Sequence, residues 1–229
     1  MNLDAAHDLM DLLLDKAEQP YFTDDEKNQF LDHAIMSFIN FHYSFYDQEQ
    51  VSRDALSYFF HESELVMDTY NGVRSLPEGY VHLIQFEMGD ELDNMKSAKI
   101  LGSKDYLDLR LSNDPFNKPT DDNPICFVRV AANTTTGEYI NEIHYQPTSF
   151  GVASNFPYKT QYFCIVFRPH DVVFRDTTVT SNPVTTPTTL LVDDPLSEIY
   201  QREIIDIAVR KMTGNIESPN IQYQQIEAE

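Results

Sequence analysis

The hydrophobic period of this chain changes twice along its length, and that change restricts the fold more than any other feature. Near both ends apolar residues recur at spacings of three and four, the mark of one-sided helices. Between them lie short runs rich in β-branched and aromatic residues, the mark of strands. At the amino end, residues 4–18 set Leu9, Met10, Leu12, Leu13, Leu14 and Ala17 among acids, which predicts a short amphipathic helix ending before Pro20. Thr23-Asp24-Asp25-Glu26 then predicts a helix start: the Thr23 hydroxyl can cap the first free N–H groups and Glu26 can reach back to the cap residue. Phe30, Leu31, Ala34, Ile35, Phe38 and Ile39 form the stripe of that helix, over 24–45. A third helical stretch, Ser52 to Phe60, follows the polar break Asp47-Gln48-Glu49-Gln50.

Tyr80–Phe86, Ile125–Ala131, Tyr139–Tyr145, Tyr162–Phe167 and Val172–Phe174 read as strands. Thr134-Thr135-Thr136-Gly137 sits at hairpin distance between two of them, so Ile125–Ala131 and Tyr139–Tyr145 are expected to pair antiparallel. Residues 177–192 are a Thr and Pro tract that cannot be helix and reads as an extended connector or edge strand. Asp194 then offers an N-cap and Pro195 a first helical residue, with Leu196, Ile199, Tyr200, Ile204, Ile207 and Ala208 on one face. Arg210 and Lys211 suit the negative end of that helix and Gly214 suits its close.

An isolated one-faced helix must bury its stripe, and the striped helix at 24–45 is the obvious partner. The expected fold is therefore α+β. A helical bundle of the N-terminal helices and the C-terminal helix carries an inserted antiparallel, sandwich-like β-rich module and ends in an extended C-terminal tail. The expected boundaries are 1–64 for the N-terminal helical part, 65–192 for the β-rich insertion, 193–214 for the closing helix and 215–229 for the tail. That tail is polar with scattered Ile216, Ile221, Tyr223 and Ile226, too sparse to fold alone, and these four are the candidate subunit-interaction residues.

Charge removes one large class of function. Thirty-seven acidic residues against 16 basic leave a formal charge of −21, the reverse of what neutralising phosphates requires. Residues 1–70 carry 15 acidic and 3 basic residues, 71–176 carry 14 and 10, and 177–229 carry 8 and 3, so the acid gathers at the ends. Cys126 and Cys164 each lie in an apolar run and read as buried thiols. The segment MNLDAAHDLMDLLLDK has acids where a signal peptide has bases, and no apolar run is long enough to cross a membrane; a soluble, reducing compartment is expected.

Catalytic and metal signatures are weak. The seven histidines form neither H-E-x-x-H nor a Cys/His set, and His61-Glu62-Ser63-Glu64, the closest approach, reads as a solvated helix end. No G-x-S-x-G, Walker or dinucleotide glycine pattern occurs. Asp24/Asp25, Asp121/Asp122 and Asp193/Asp194 could serve acid–base or metal chemistry, but two of the three pairs fall at expected helix N-termini, where the backbone dipole alone favours carboxylates. Phe38, Phe41, Tyr43, Phe45, Tyr46, Phe59 and Phe60 lack the positive groove of a nucleic-acid stacking platform and read as core plus a contact surface for a neighbouring subunit. The expectation is a protein that is not an enzyme, with no catalytic, cofactor-binding or metal residue and no cofactor.

Two segments carry a resemblance. Leu12 to Leu31, with its Tyr21-Phe22-Thr23 turn into a capped helix, resembles the opening of head–tail connector (collar adaptor) ring proteins of tailed phages, crAss-like and other short-tailed ones among them. Glu198 to Met212 is similar to that family's closing helix, and the two together cover about a quarter of the chain. The resemblance implies a virion structural protein assembled in the cytoplasm of a bacterial host. It implies a cyclic, dodecameric homo-oligomer below the portal protein, touching neighbouring ring or tail proteins, with DNA only passing through its channel and no membrane involved. Another tail or baseplate component is the nearest alternative, and a carboxylate- or metal-dependent enzyme the more distant one.

Overall fold

A computed structural model of the chain describes residues 1–16, 22–63, 66–67, 72–89, 95–112, 114, 118–120, 122–132, 139–146, 159–175 and 196–226, with side chains of the last segment described as far as residue 214. The first elements are α1 (Leu3–Lys16), α2 (Asp24–Ser44), α3 (Gln50–Leu56) and a 3-10 turn, Ser57–Phe59. Strands β1 (Phe60–Glu62), β2 (Val66–Met67), β3 (Val73–Ser75), β4 (Tyr80–Gly89), β5 (Lys96–Ser97) and β6 (Lys99–Ile100) follow, then α4 (Ser103–Arg110). The chain continues through β7 (Ile125–Ala132), β8 (Tyr139–Gln146), β9 (Lys159–Val166), α5 (His170–Val173) and α6 (Glu198–Ile226). Mixed helix and antiparallel sheet make this an α+β protein. It divides into two compact units, one of Met1–Phe59 with Phe167–Glu229, the other of Phe60–Val166.

In the helical unit α2 starts where its chemistry directs. The Thr23 N–H donates to Glu26 Oε2 at 2.8 Å, and the Thr23 hydroxyl accepts from the Glu26 N–H at 3.4 Å. Both halves of a capping box are thus in place, with Asp24, Asp25 and Glu26 at the positive end of the helix dipole. Leu31, Ala34, Ile35, Phe38 and Ile39 are buried on one face, and Ile204, Ile205, Ala208 and Met212 of α6 are buried opposite. Each Leu, Ile, Phe or Met among them contributes roughly 1.5–3 kcal/mol on burial. The two helices run antiparallel, since Lys211 meets Ser37 and Glu203 meets His42. Ala6, Met10 and Leu14, four residues apart, bury the inner face of α1.

The second unit is a sandwich. One sheet has the order β1-β9-β4-β5, with β2 also on β9; the other has the order β3-β8-β7-β6. The expected hairpin forms, β7 pairing antiparallel with β8 from Ile125↔Gln146 to Ala132↔Tyr139. Phe86, Met88, Tyr162 and Cys164 of the first sheet share one core with Cys126, Ile143 and Tyr145 of the second. Alternate residues of a strand face the same way, which is why Tyr162 and Cys164, or Ile143 and Tyr145, enter together. Gly79, at φ 74, gives the left-handed residue in the turn where the Tyr80 N–H reaches the Pro77 carbonyl before β4.

The structure corrects several expectations. Val172–Phe174 is no strand: His170–Val173 form one helical turn whose first N–H is taken by Asp32 Oδ1 at 2.8 Å. Three apolar residues are too few to display a period. Ser103–Arg110, within the region read as β-rich, is a helix that buries only Tyr106 and so shows no stripe. The third helix spans Gln50–Leu56 and tightens into the 3-10 turn. His61 and Glu62 lie in β1, not at a helix end. β6 runs parallel to β7, an exception to the antiparallel pattern. The β-rich excursion spans Phe60–Val166, not 65–192, because β1 already pairs with β9 and the chain after Val166 rejoins the helical unit. Finally, α6 does not close at Gly214 into an extended tail; its backbone stays helical to Ile226. A single interior glycine costs a helix only about 1 kcal/mol, and in sequence the 208, 212, 216 spacing continues unbroken across it. The Thr and Pro tract with Asp193, Asp194 and Pro195, and the turn at Pro20 and Tyr21, lie outside the described residues.

Candidate functional site

His42 sits on the apolar stripe of α2, one turn beyond Phe38, and is buried. Its Nδ1 is 3.3 Å from Ser52 Oγ of α3, and its Nε2 is 3.3 Å from Glu203 Oε1 of α6. The Ser52 hydroxyl donates onward to Glu49 Oε2 at 3.4 Å. Phe38 and Phe41 meet the imidazole edge to face at 4.4 and 5.2 Å. Hydroxyl, imidazole and carboxylate in series are the parts of an acyl-transfer triad, but here the hydroxyl lies on Nδ1 and the carboxylate on Nε2, the reverse of the productive order. Ser52 is also only 2 % exposed, which closes its Oγ to a substrate carbonyl. What the cluster does is tie three helices together through one ring.

Similar clasps hold the rest of the helical unit. Lys27 is 4 % exposed and donates to Asp11 Oδ2 at 2.8 Å and to Asp24 Oδ1 at 3.3 Å. Burial pushes its pKa down, but the two carboxylates outweigh that and hold it above the ordinary lysine value, so the pair stays charged. His7 Nε2 lies 2.9 Å from Asn28 Oδ1. The Arg168 guanidinium stacks 4.7 Å over the Tyr58 ring, and the Tyr58 hydroxyl donates to the Val172 carbonyl at 3.0 Å.

Among the described residues, those singled out by sequence do not converge on a reactive centre. Asp24 is engaged by Lys27, Asp122 lies in a turn, and Asp121, Asp193 and Asp194 fall outside the described residues. In β1, Glu62 accepts from the Gln161 side chain, and Ser63 Oγ accepts from the Tyr162 N–H at 3.0 Å. Cys126 and Cys164 are free, buried thiols, each pushed up to about 12 by burial. Among the described residues no group of three or more His, Cys, Asp or Glu is placed to hold a metal ion, and no helix is long and apolar enough to cross a membrane. Ile216, Ile221, Tyr223 and Ile226 lie in the distal part of α6, and their side chains are outside the described residues.

The aromatic clusters divide. Phe38 and Phe59 are fully buried, whereas Phe41 and Phe45, with ring centroids 5.4 Å apart, are 56 % and 36 % exposed. Val51 and Ile199 are exposed as well, at 62 % and 74 %. These residues adjoin the His42 cluster: Val51 precedes Ser52, and Ile199 lies one turn before Glu203. Phe41 and Phe45 belong to the aromatic cluster that the sequence marks as core plus a contact surface, and both are exposed. Comparison with protein-family models and with curated proteins finds no match to this chain.

Proposed function

We propose that this chain is a structural assembly subunit, and specifically a ring-forming connector between head and tail of a short-tailed bacteriophage. In this reading its copies form a closed, dodecameric ring below the portal protein and line the DNA channel, in contact with neighbouring ring or tail proteins. The observation that carries the reading is the layout: helices from both extremities form one buried layer, and a sandwich is inserted between them as a contiguous excursion. That layout is the one implied by the resemblance of Leu12–Leu31 and Glu198–Met212 to the connector family. The exposed apolar patch around Phe41 supports an assembling surface, and the net charge of −21 suits a channel along which DNA slides without sticking. The test is the mass of the purified protein, alone and with its portal. A ring-sized species in either sample is expected, and a monomer in both would overturn the proposal.

A further inference from the structure

We infer that two oppositely charged apolar faces of this chain are the two halves of one head-to-tail contact between neighbouring copies. The inference rests on the self-assembling reading above and specifies the surfaces that reading needs.

The first face belongs to the helical unit. Phe41, Phe45 and Val51 supply exposed apolar surface between the end of α2 and the start of α3, and Ile199 adds to it from the first turn of α6. Asp47, Glu49 and Asp54 lie within the same α2–α3 stretch, all exposed, with Arg53 its one cation. The second face belongs to the sandwich unit. Along β6 and α4, Ile100, Leu107 and Leu111 are 44 %, 47 % and 76 % exposed. α4 turns Tyr106 inward onto Phe127, ring centroids 4.4 Å apart, which leaves Leu107 outside. Lys96, Lys99, Lys104 and Arg110 are exposed on this stretch, against Asp105 and Asp108. In a chain of net charge −21, a positive apolar stretch is the exception.

Copies with so large a like charge repel at a distance, so a contact between them must bring local opposites together. A two-fold contact centred on either face would set that face against itself, acid on acid or base on base. A heterologous contact sets acid against base, joins exposed apolar side chains at its centre, and repeats from copy to copy until it closes.

Two full-length variants test this, each altered only at exposed positions. Asp47→Lys with Asp54→Lys reverses the first face; Lys104→Glu with Arg110→Glu reverses the second. Native mass spectrometry should show each variant alone as a monomer under conditions where the wild-type chain assembles. An equal mixture should assemble beyond a dimer again, because the two retained faces form the native contact and the two reversed faces are themselves opposite in charge, so the variants can alternate from copy to copy. A mixture that stays monomeric while the wild type assembles would place the contact elsewhere and leave the self-assembly reading intact. A wild-type chain that stays monomeric at every concentration reached, alone and with its portal, overturns this inference and the reading beneath it together.

Discussion

His42 and Glu203 meet at 3.3 Å although 161 positions separate them, so a single imidazole joins α2, near the start of the chain, to α6. The same ring accepts or donates at Ser52, whose hydroxyl is buried. Replacing His42 by Ala leaves Ser52 without its imidazole partner in a closed site and removes the ring packed against Phe38. The Ser52 hydroxyl keeps its bond to Glu49, so the lost hydrogen bond costs about 0.5–1.5 kcal/mol, and the lost packing adds to this. His42→Phe keeps the ring but not the hydrogen bonds and should fall between wild type and His42→Ala in urea unfolding. Equal stability of all three proteins would show that the clasp is ornamental.

The helix start at Thr23 makes a narrower prediction. Thr23→Ala removes the acceptor of the Glu26 N–H and the hydroxyl donor to the Glu26 carboxylate, and leaves the backbone N–H at position 23 to that carboxylate. The expected loss is about 1 kcal/mol, with Thr23→Ser recovering most of it. Glu26 is held below the usual carboxylate range by its hydrogen bonds to Thr23, backbone first and side chain second, so this contribution is present above the ordinary glutamate value and fades as pH falls through the lowered one. Thermal melts of the two variants at neutral and acidic pH check both statements.

What sequence could disclose followed the depth of burial. The stripe Leu31, Ala34, Ile35, Phe38, Ile39 is legible because every member is buried, and a buried stripe must repeat at the helical period. α4 is illegible because it buries Tyr106 alone, and β2, β5 and β6 because two residues cannot display alternation. His42 could have been flagged as a polar residue on an apolar stripe. Its partners could not, since Ser52 and Glu203 become neighbours only through the packing of α3 and α6 on α2.

Two histidines give the sandwich unit a pH dependence. Burial pushes His82 below the ordinary imidazole value of 6.5. Burial does the same to His144, with the Glu142 carboxylate at 3.2 Å pulling the other way. The unfolded chain therefore takes up these protons at a higher pH than the folded one, and in the interval between the two values stability rises with pH. The sandwich should be most stable above about pH 6.5 and weaken as pH falls below it. A variant carrying His82→Gln and His144→Gln should melt with a flatter profile over that interval. An unchanged profile would remove these histidines from the account.

The thiols offer a probe of whether the sandwich core is closed. Cys126 and Cys164 are both fully buried in the same core, and burial pushes each to about 12. Thiolate, the reactive form, is then scarce at neutral pH and shielded where it occurs. A disulfide reagent should label neither cysteine in native protein and both once urea unfolds the unit. Rapid native labelling of either would mean that the two sheets part readily.

Phe60 and Ile165 are paired across β1 and β9, which brings the entry and exit of the sandwich unit side by side. Neighbouring ends mean that excision leaves no gap to span, and the unit keeps its whole core, from Leu83 and Phe86 to Tyr145 and Cys164, within Phe60–Val166. The polypeptide 60–166 should therefore fold alone. For the same reason residues 1–59 joined to 167–229 by a short Gly/Ser linker should keep α2 packed on α6, since that linker replaces a pair of adjacent strand ends. Dispersed amide spectra from both products are expected. A sandwich that is collapsed but undispersed would show that it needs the helical unit to select its sheet register, and the insertion would then be an inseparable part of one fold.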